Sequence, residues 1–258
     1  MIASAVLAHF DEQMRRNARP DTADAVLERT DRVVRQSVPG DGWNGVLWSS
    51  LSERDADEEI RAQIAHFAAL GREFEWKHYA HDAPADLPAR LAAAGLVAEE
   101  PEAMMALEVA AFAGEVAPPE GITLVEVGDE AGVELMMRAH EAAFGHVSPQ
   151  VRHQLVTRLA HDPDSLAAVV AMDGREPVCA ARLEMPDGVD FAGLWGGGTV
   201  ERWRGRGIYR SVLAWRVRAA AARGYRYVYV DASADSRPIL SRLGFTHLTT
   251  TTPFVYAP

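Results

Sequence analysis

Arg202-Trp203-Arg204-Gly205-Arg206-Gly207 follows the apolar run Phe191-Ala192-Gly193-Leu194-Trp195 and precedes a long helical pattern. A glycine turn between a strand and a helix start leaves backbone N–H groups pointing outward, and the helix end adds a partial positive charge. The surrounding guanidiniums are planar, permanently charged forks suited to phosphate oxygens. From Arg202 to Arg226 the chain carries eight arginines and no acidic residue. The segment reads as a pocket for a phosphorylated small-molecule cofactor.

The rest of the chain has the opposite charge. Its net charge is −11, and outside the arginine segment 18 basic residues face 37 acidic ones. Positive charge is therefore local, which argues against general nucleic-acid binding. A hydrophobic content of 48% with 24% charged residues is that of a globular protein. Cys179 is the only cysteine, so an intramolecular disulfide and a multi-cysteine metal site are excluded. Its neighbours Pro177, Val178, Ala180 and Ala181 suggest a buried strand and inert packing. Met1 to Ala8 has no basic flank and soon meets Asp11 and Glu12, which reads as an amphipathic helix and not a signal peptide. No run approaches the roughly eighteen apolar residues of a membrane span. The expectation is a cytoplasmic protein with no membrane partner and no metal.

The Pro/Gly stretch Ala113 to Gly121 reads as a linker. Upstream, the patterns predict helices near 3–17 and 22–30, strands at 33–37 and 45–48, a helix over 53–70, a strand at 74–79, a helix at 85–94 and a strand through 104–109. Downstream they predict a strand at 122–127, helices at 129–144 and 149–161, and a hairpin of 166–172 with 178–184 across Asp173-Gly174. A strand at 190–199, the Arg-rich helix near 206–223, a strand at 225–231, a helix at 236–243 and one or two tail strands complete the list. Both halves end alike: Arg90-Leu91-Ala92-Ala93-Ala94-Gly95-Leu96 echoes Ile239-Leu240-Ser241-Arg242-Leu243-Gly244-Phe245. Each glycine fits a left-handed helix stop, with the next apolar residue folding back. The fold class is α/β (α+β), two tandem units of similar element order. Where the second half has its glycine turn, the first has Ser49 to Glu59, without glycine and with five acids that would repel a diphosphate.

On these residues the second half resembles the GNAT superfamily of N-acetyltransferases. Arg202, Gly205 and Gly207 fill its signature at the turn from the fourth strand into the third helix. The context adds to it: a preceding strand, a following helix, the strand Tyr225–Asp231 and the late Leu243-Gly244-Phe245. The resemblance covers roughly 122–258 well and extends to 1–112 only as a degenerate tandem copy. It implies two GNAT-like units, each a mixed, mostly antiparallel sheet flanked by helices. Residues 1–115 would form a domain without a cofactor site, and 120–258 the acetyl-CoA-binding domain.

The resemblance further implies that acetyl-CoA, or a related acyl-CoA, gives its acyl group to a primary amine by direct attack on the thioester. The amine belongs to a small molecule or to a protein. Carried onto this chain, the backbone from Trp203 through Arg204, Gly205, Arg206 and Gly207 to Ile208 would cradle the diphosphate, with Arg202 and Tyr209 alongside. The strand end at Gly198, Thr199 and Val200 would pair with the pantetheine arm, its amides steadying a developing oxyanion. Gly196, Gly197 and Gly198 suit a bulge or a close backbone approach. Ser233 and Ser236 stand where the family often has a polar residue near the cofactor. Asp190 and Glu184 are the carboxylates that could take the amine's proton, with His140, Glu141 and His146 ranked below them. The family's usual acid, a tyrosine on the last helix, is replaced here by Leu240, leaving Tyr209 or water to protonate the thiolate. That replacement also fits a second function, a non-catalytic acyl-CoA sensor or interaction module on the same fold. Neither reading fixes the acceptor, and a homodimer is compatible with both.

Overall fold

The computed structural model describes residues 2–114 and 116–258. They form two compact units: residues 2–20, 24–105 and 231–258 make the first, and 21–23 with 106–114 and 116–230 the second. This grouping differs from the division expected near 115–120, because the C-terminal segment packs with the N-terminal unit. The expected linker includes Glu115, which lies outside the described residues.

The first unit opens with helix α1 (Ala3–Phe10), which continues as a π-helical turn over Asp11–Arg16. Strands β1 (Val26–Arg29), β2 (Val33–Ser37) and β3 (Gly45–Ser49) pair antiparallel in sequence. Helix α2 (Ala56–Ala69) then crosses to β4 (Phe74–Tyr79), which pairs parallel with β3. Helix α3 (Leu87–Ala93), strand β5 (Val97–Ala98) and β6 (Glu102–Glu108) follow, β6 running across the boundary between the units. Val33, Val46, Ile60, Phe67, Phe74, Trp76 and Leu91 fill the interior, with the Phe67 and Phe74 rings stacked at 4.4 Å.

The sequence-based helix at 22–30 is a correction: Val26–Arg29 is strand. Its register sets Glu28 opposite Arg35, and Arg35 Nε donates to Glu28 Oε2 at 2.9 Å. A nine-residue helix is marginal alone, and a ladder with a cross-strand ion pair overrides it.

The second unit contains β7 (Ile122–Val127), α4 (Glu130–Phe144), α5 (Pro149–His161), β8 (Leu166–Asp173), β9 (Glu176–Glu184), β10 (Phe191–Thr199), α6 (Ile208–Ala222) and β11 (Tyr227–Ala232), which leaves the unit at Val230. The strand order is β7-β8-β9-β10-β11, antiparallel except for the final parallel pair bridged by α6. Strand alternation sorts the two faces. Ala180 of β9 packs with Val133, Met136 and Leu155 of α4 and α5, while Cys179 and Ala181 pack with Ile208 and Val212 of α6. Asp129 caps α4 by accepting from the Gly132 amide at 2.8 Å, and Gly145 ends it with φ +80°.

The chain then returns to the first unit with α7 (Arg237–Arg242) and β12 (Thr246–Tyr256). β12 pairs antiparallel with β4 from Thr251 opposite Tyr79 to Tyr256 opposite Phe74. The two helix stops noted in the sequence share one geometry. The Leu96 amide donates to Leu91 O and the Phe245 amide to Leu240 O, each at 3.1 Å, around left-handed Gly95 and Gly244. Among the described residues no helix is long and apolar enough to cross a membrane, and no group of His, Cys, Asp and Glu could hold a metal ion.

Candidate functional site

The site in the second unit begins where two parallel strands part. β10 and β11 are in register over only Phe191–Tyr227, Ala192–Val228 and Gly193–Tyr229, although β10 runs on to Thr199. Residues 194–199 thus extend beyond the ladder with β11, a strand edge of about 20 Å. Within that length the pairing of β10 with β9 shifts between Trp195 and Gly198, a bulge in which Gly196 takes φ +58°. Trp195, Gly196 and Gly197 are half-buried in a strand whose other residues are buried. The bulge is where β10 meets solvent.

Its glycines admit side chains from both faces of the sheet. A Cβ on Gly197 would stand 3.1 Å from Arg216 Nη2 and from Tyr209 Cε2, and one on Gly198 only 2.6 Å from Phe144 Cε2. A Cβ on Gly196 would stand 3.0 Å from Arg182 Nη1 and 3.7 Å from His140 Nδ1. The three-glycine run is therefore a bulge and a close approach together.

The glycine turn follows. Trp203 and Arg204 lie in a 3-10 turn, where their amides donate to Val200 O at 2.8 Å and Glu201 O at 3.0 Å. Those two amides are engaged internally. Beyond them Gly205 (φ +74°) and Gly207 (φ +87°) reverse the chain into α6. The first helical amides with a backbone acceptor are Arg210 and Ser211, both onto Gly207 O. Among the described residues the amides of Gly205, Arg206, Gly207, Ile208 and Tyr209 donate to no carbonyl. Nothing lies within 4 Å of where a Gly205 Cβ would stand. Five amides without a carbonyl partner at a helix N-terminus are the kind of arrangement that binds anions.

The arginines do not act as one phosphate-facing cluster. Arg202 pairs with Glu176. Arg204 turns back, its Nε donating to Thr199 O at 3.1 Å. Arg206 lies over the Trp203 ring at 4.5 Å. Arg223 sits near Asp164, and Arg226 near Glu108. Arg216 is 1% exposed, and its Nη1 donates to Arg182 O at 3.2 Å, beside the shifted pairing of the bulge. Arg206 and Arg210, exposed in the turn and first helical turn, are left to flank the cradle.

The sequence-predicted catalytic residues fall in different places. Glu184 is enclosed between two guanidiniums: Arg182 Nε donates to Oε1 at 2.8 Å and Arg158 Nη2 to Oε2 at 3.4 Å. Burial alone would raise its pKa, yet the two arginines outweigh burial and hold the carboxyl below its ordinary range. Its lone pairs are committed. Asp190 precedes the first residue of β10, and its carbonyl accepts from the Arg226 and Tyr227 amides. At ~3.3 Å per residue, that end of the strand is about 20 Å from Gly196. Tyr209 lies under the bulge beside Arg216; burial raises its phenol above the ordinary range, so it keeps its proton at neutral pH. Val200 and Thr199 are partly engaged as well, the Val200 amide with Val178 O and the Thr199 hydroxyl with Cys179 Sγ at 3.2 Å. Ser233 and Ser236 bond to each other and belong to the first unit. Leu240 is fully buried.

Two groups carry more than the sequence suggested. Arg216 occupies a core position of α6 among Val212, Leu213, Val217 and Ala220, and that break in the apolar pattern was its signal. His140 is 6% exposed, with Nε2 at 3.2 Å from Ser148 Oγ. Burial first, then Arg182 and His146, pull its imidazole down to about 4, so it is neutral near pH 7.

The first unit repeats the strand–helix–strand arrangement but closes the opening with its own atoms. β3 and β4 pair over Gly45–Glu75 and Val46–Trp76 and then part. Arg15 fills the gap: Nε donates to Leu47 O at 3.2 Å, Nη2 to both oxygens of Asp82, and the guanidinium lies 3.7 Å over the Tyr79 ring. At the start of α2, Asp55 Oδ1 accepts from the Ser52 amide at 2.7 Å and Ser52 Oγ from the Arg54 amide at 3.3 Å.

Comparison with known proteins places this geometry. No family model matches the chain, and no curated protein does. Solved structures do. A GCN5-related N-acetyltransferase from Kribbella flavida is 19% identical over 100% of this chain and 95% of its own, with a TM-score of 0.69. A functionally unknown conserved protein from Staphylococcus epidermidis also reaches 0.69, at 12% identity over 96% and 97% of the two chains. A tandem GNAT protein from the clavulanic acid biosynthesis pathway gives 0.62, at 12% identity over 93% and 85%. The chain therefore has the fold of the GNAT N-acetyltransferases, in its tandem form.

Proposed function

We propose that this protein is an acyl-CoA-dependent N-acyltransferase whose second unit holds the donor, and whose first unit is a degenerate copy without a cofactor site. The observation that carries the reading is the continuity of three features along one stretch of chain: β10 parted from β11, bulged at Gly196, and followed past a short turn by five amides without a carbonyl partner. A CoA-shaped ligand needs that sequence of environments, an extended edge for an amide-bearing arm and then an anion cradle. The residues present fit it. Bound there, the donor supplies an activated thioester.

The amides of Gly205 to Tyr209 hold the diphosphate, with Arg206 and Arg210 beside them. The edge of β10 through Gly198, Thr199 and Val200 orients the pantetheine arm. The bulge sets backbone N–H groups and the Arg216 charge near the reacting carbonyl, where an oxyanion is stabilised most. Tyr209 keeps its proton at neutral pH and is the residue placed to donate one to the departing thiolate. In the first unit Arg15, Ser52 and Asp55 occupy with protein atoms what a donor would need. The acceptor is a primary amine, of a small molecule or of a protein.

A second reading, a non-catalytic acyl-CoA sensor, is favoured by one observation: Leu240, where the family places its acid, is buried and cannot transfer protons. Thiol release from acetyl-CoA with a panel of amines separates the two. Saturable binding with amine-dependent release supports transfer. Saturable binding with no release for any amine supports the sensor. No binding of either acetyl-CoA or CoA contradicts both.

A further inference from the structure

Past the donor site, a chain of hydrogen-bonding side chains runs from the bulge to solvent through the α4–α5 junction. His140 belongs to the last turns of α4. Gly145 ends that helix with φ +80°, and α5 begins at Pro149, so the chain reverses within a few residues. The reversal brings Ser148 Oγ to 3.2 Å from His140 Nε2 and to 3.2 Å from His146 Nδ1. Ser148 is buried and His146 is exposed. At the inner end, His140 Nδ1 is buried and, among the described residues, has no hydrogen-bond partner. It is directed at the half-buried bulge, across the space that Gly196 leaves by having no side chain.

We propose that His140 Nδ1 takes the proton from the attacking amine, and that Ser148 and His146 pass it to solvent. This rests on the transferase reading above. The contacts allow two hydrogen-bond directions, and the relay uses the outward one. His140 Nε2–H donates to Ser148 Oγ, the Ser148 hydroxyl donates to His146 Nδ1, and His140 Nδ1 presents a lone pair. As the amine nitrogen bonds to the acyl carbon, its proton moves to His140 Nδ1. The Nε2 proton moves to Ser148 Oγ, and the serine proton to His146 Nδ1. The C–S bond then breaks, and the thiolate takes up one proton from Tyr209 or water. The balance is amine plus thioester to amide plus thiol: the relayed proton leaves from His146 to solvent, and solvent restores the proton that Tyr209 or water gave.

The surroundings explain why the proton is passed on and not stored. Arg182 from β9 and His146 from the junction face His140, while Glu184 is already neutralised by Arg182 and Arg158. An imidazolium beside the Arg182 guanidinium is disfavoured in a buried site, whereas His146 is exposed and can release the proton to water. The same guanidinium disfavours an ammonium at the bulge, so the acceptor is held as the free amine that reacts.

The test uses the full chain and the variants His140→Gln, His140→Ala and Ser148→Ala. Acetyl-CoA affinity is measured by calorimetry. Thiol release is then followed with the best amine of a panel of spermidine, lysine, glucosamine and a short peptide, or with water where no amine is faster. His140→Gln is expected to lose ~10²-fold or more in rate with unchanged affinity, and Ser148→Ala roughly tenfold. In wild type, rates in mixed H₂O and D₂O should show more than one proton in motion; in Ser148→Ala that signature should fall to a single proton. Imidazole added to His140→Ala should restore rate. Release by His140→Gln within threefold of wild type, or an isotope signature unchanged by Ser148→Ala, overturns the relay alone. Wild-type binding of acetyl-CoA without any thiol release overturns the transferase reading and the relay with it.

Discussion

The cradle predicts that Gly205→Asp and Gly205→Asn will differ sharply in CoA affinity. Gly205 has φ +74°, and nothing lies within 4 Å of its missing Cβ, so the Cβ of either residue meets open space. Both residues enter the left-handed region at a similar backbone cost, which makes the pair a test of charge alone. Asp adds a carboxylate facing the place where the diphosphate would sit. At roughly 8 Å and an effective dielectric near 20, one added charge repels each phosphate charge by about 2 kcal/mol, before screening by salt. A net loss of ~10–100-fold for Asp, and less than about threefold for Asn, is expected. Calorimetry of CoA binding at low and high salt would measure it, with the Asp penalty shrinking as salt rises. Equal affinities for the two folded variants would refute the placement of the diphosphate at this turn.

Other expectations follow from particular contacts. Arg15→Met should leave Asp82 buried and unpaired, costing about 3 kcal/mol or more in urea unfolding, without changing CoA affinity. Gly198→Leu should disrupt the packing of α4, since even a Cβ there would stand 2.6 Å from Phe144 Cε2; a thermal midpoint equal to wild type would contradict that. Cys179, buried and pushed up to about 11, should resist iodoacetamide in the native protein and react only on unfolding. Burial first, then Asp231, pushes Glu102 up to about 7. The folded state thus retains a proton that the unfolded chain releases near its ordinary value, so stability is present at low pH and declines as pH rises through about 7. Glu102→Gln should therefore raise the thermal midpoint at pH 8 by an amount equivalent to about 1 kcal/mol, after allowance for its partial exposure, and change it little at pH 5.

The parts of this fold legible in the sequence were those encoded over a few residues. The turn at Gly205 and Gly207 declared itself because only glycine serves two closely spaced left-handed positions so readily. The helix stops at Gly95 and Gly244, and the hairpin at Asp173-Gly174, were readable for the same reason. What depended on distant partners was not. The tail reads as one or two strands but says nothing about which strand they join, so the pairing of β12 with β4 emerged only from the structure. Val26–Arg29 reads as helix until Arg35 is placed across from Glu28. Glu184 looked like an available base because Arg158 and Arg182 approach it from another helix and its own strand. The alignment of His140, Ser148 and His146 required the reversal at Gly145. A glycine stop followed by Ser148-Pro149 was the local trace of that reversal, and its consequence was spatial.

The central claim is that the open amides of the second unit, and not their counterparts in the first, grip a diphosphate. Backbone amide resonances followed during a CoA titration test it most directly. The account predicts large, saturable shifts at Gly205, Arg206, Gly207, Ile208 and Tyr209, with residues 52–56 unmoved. Shifts confined to residues 52–56, or saturable CoA binding that leaves residues 205–209 unchanged, would contradict it.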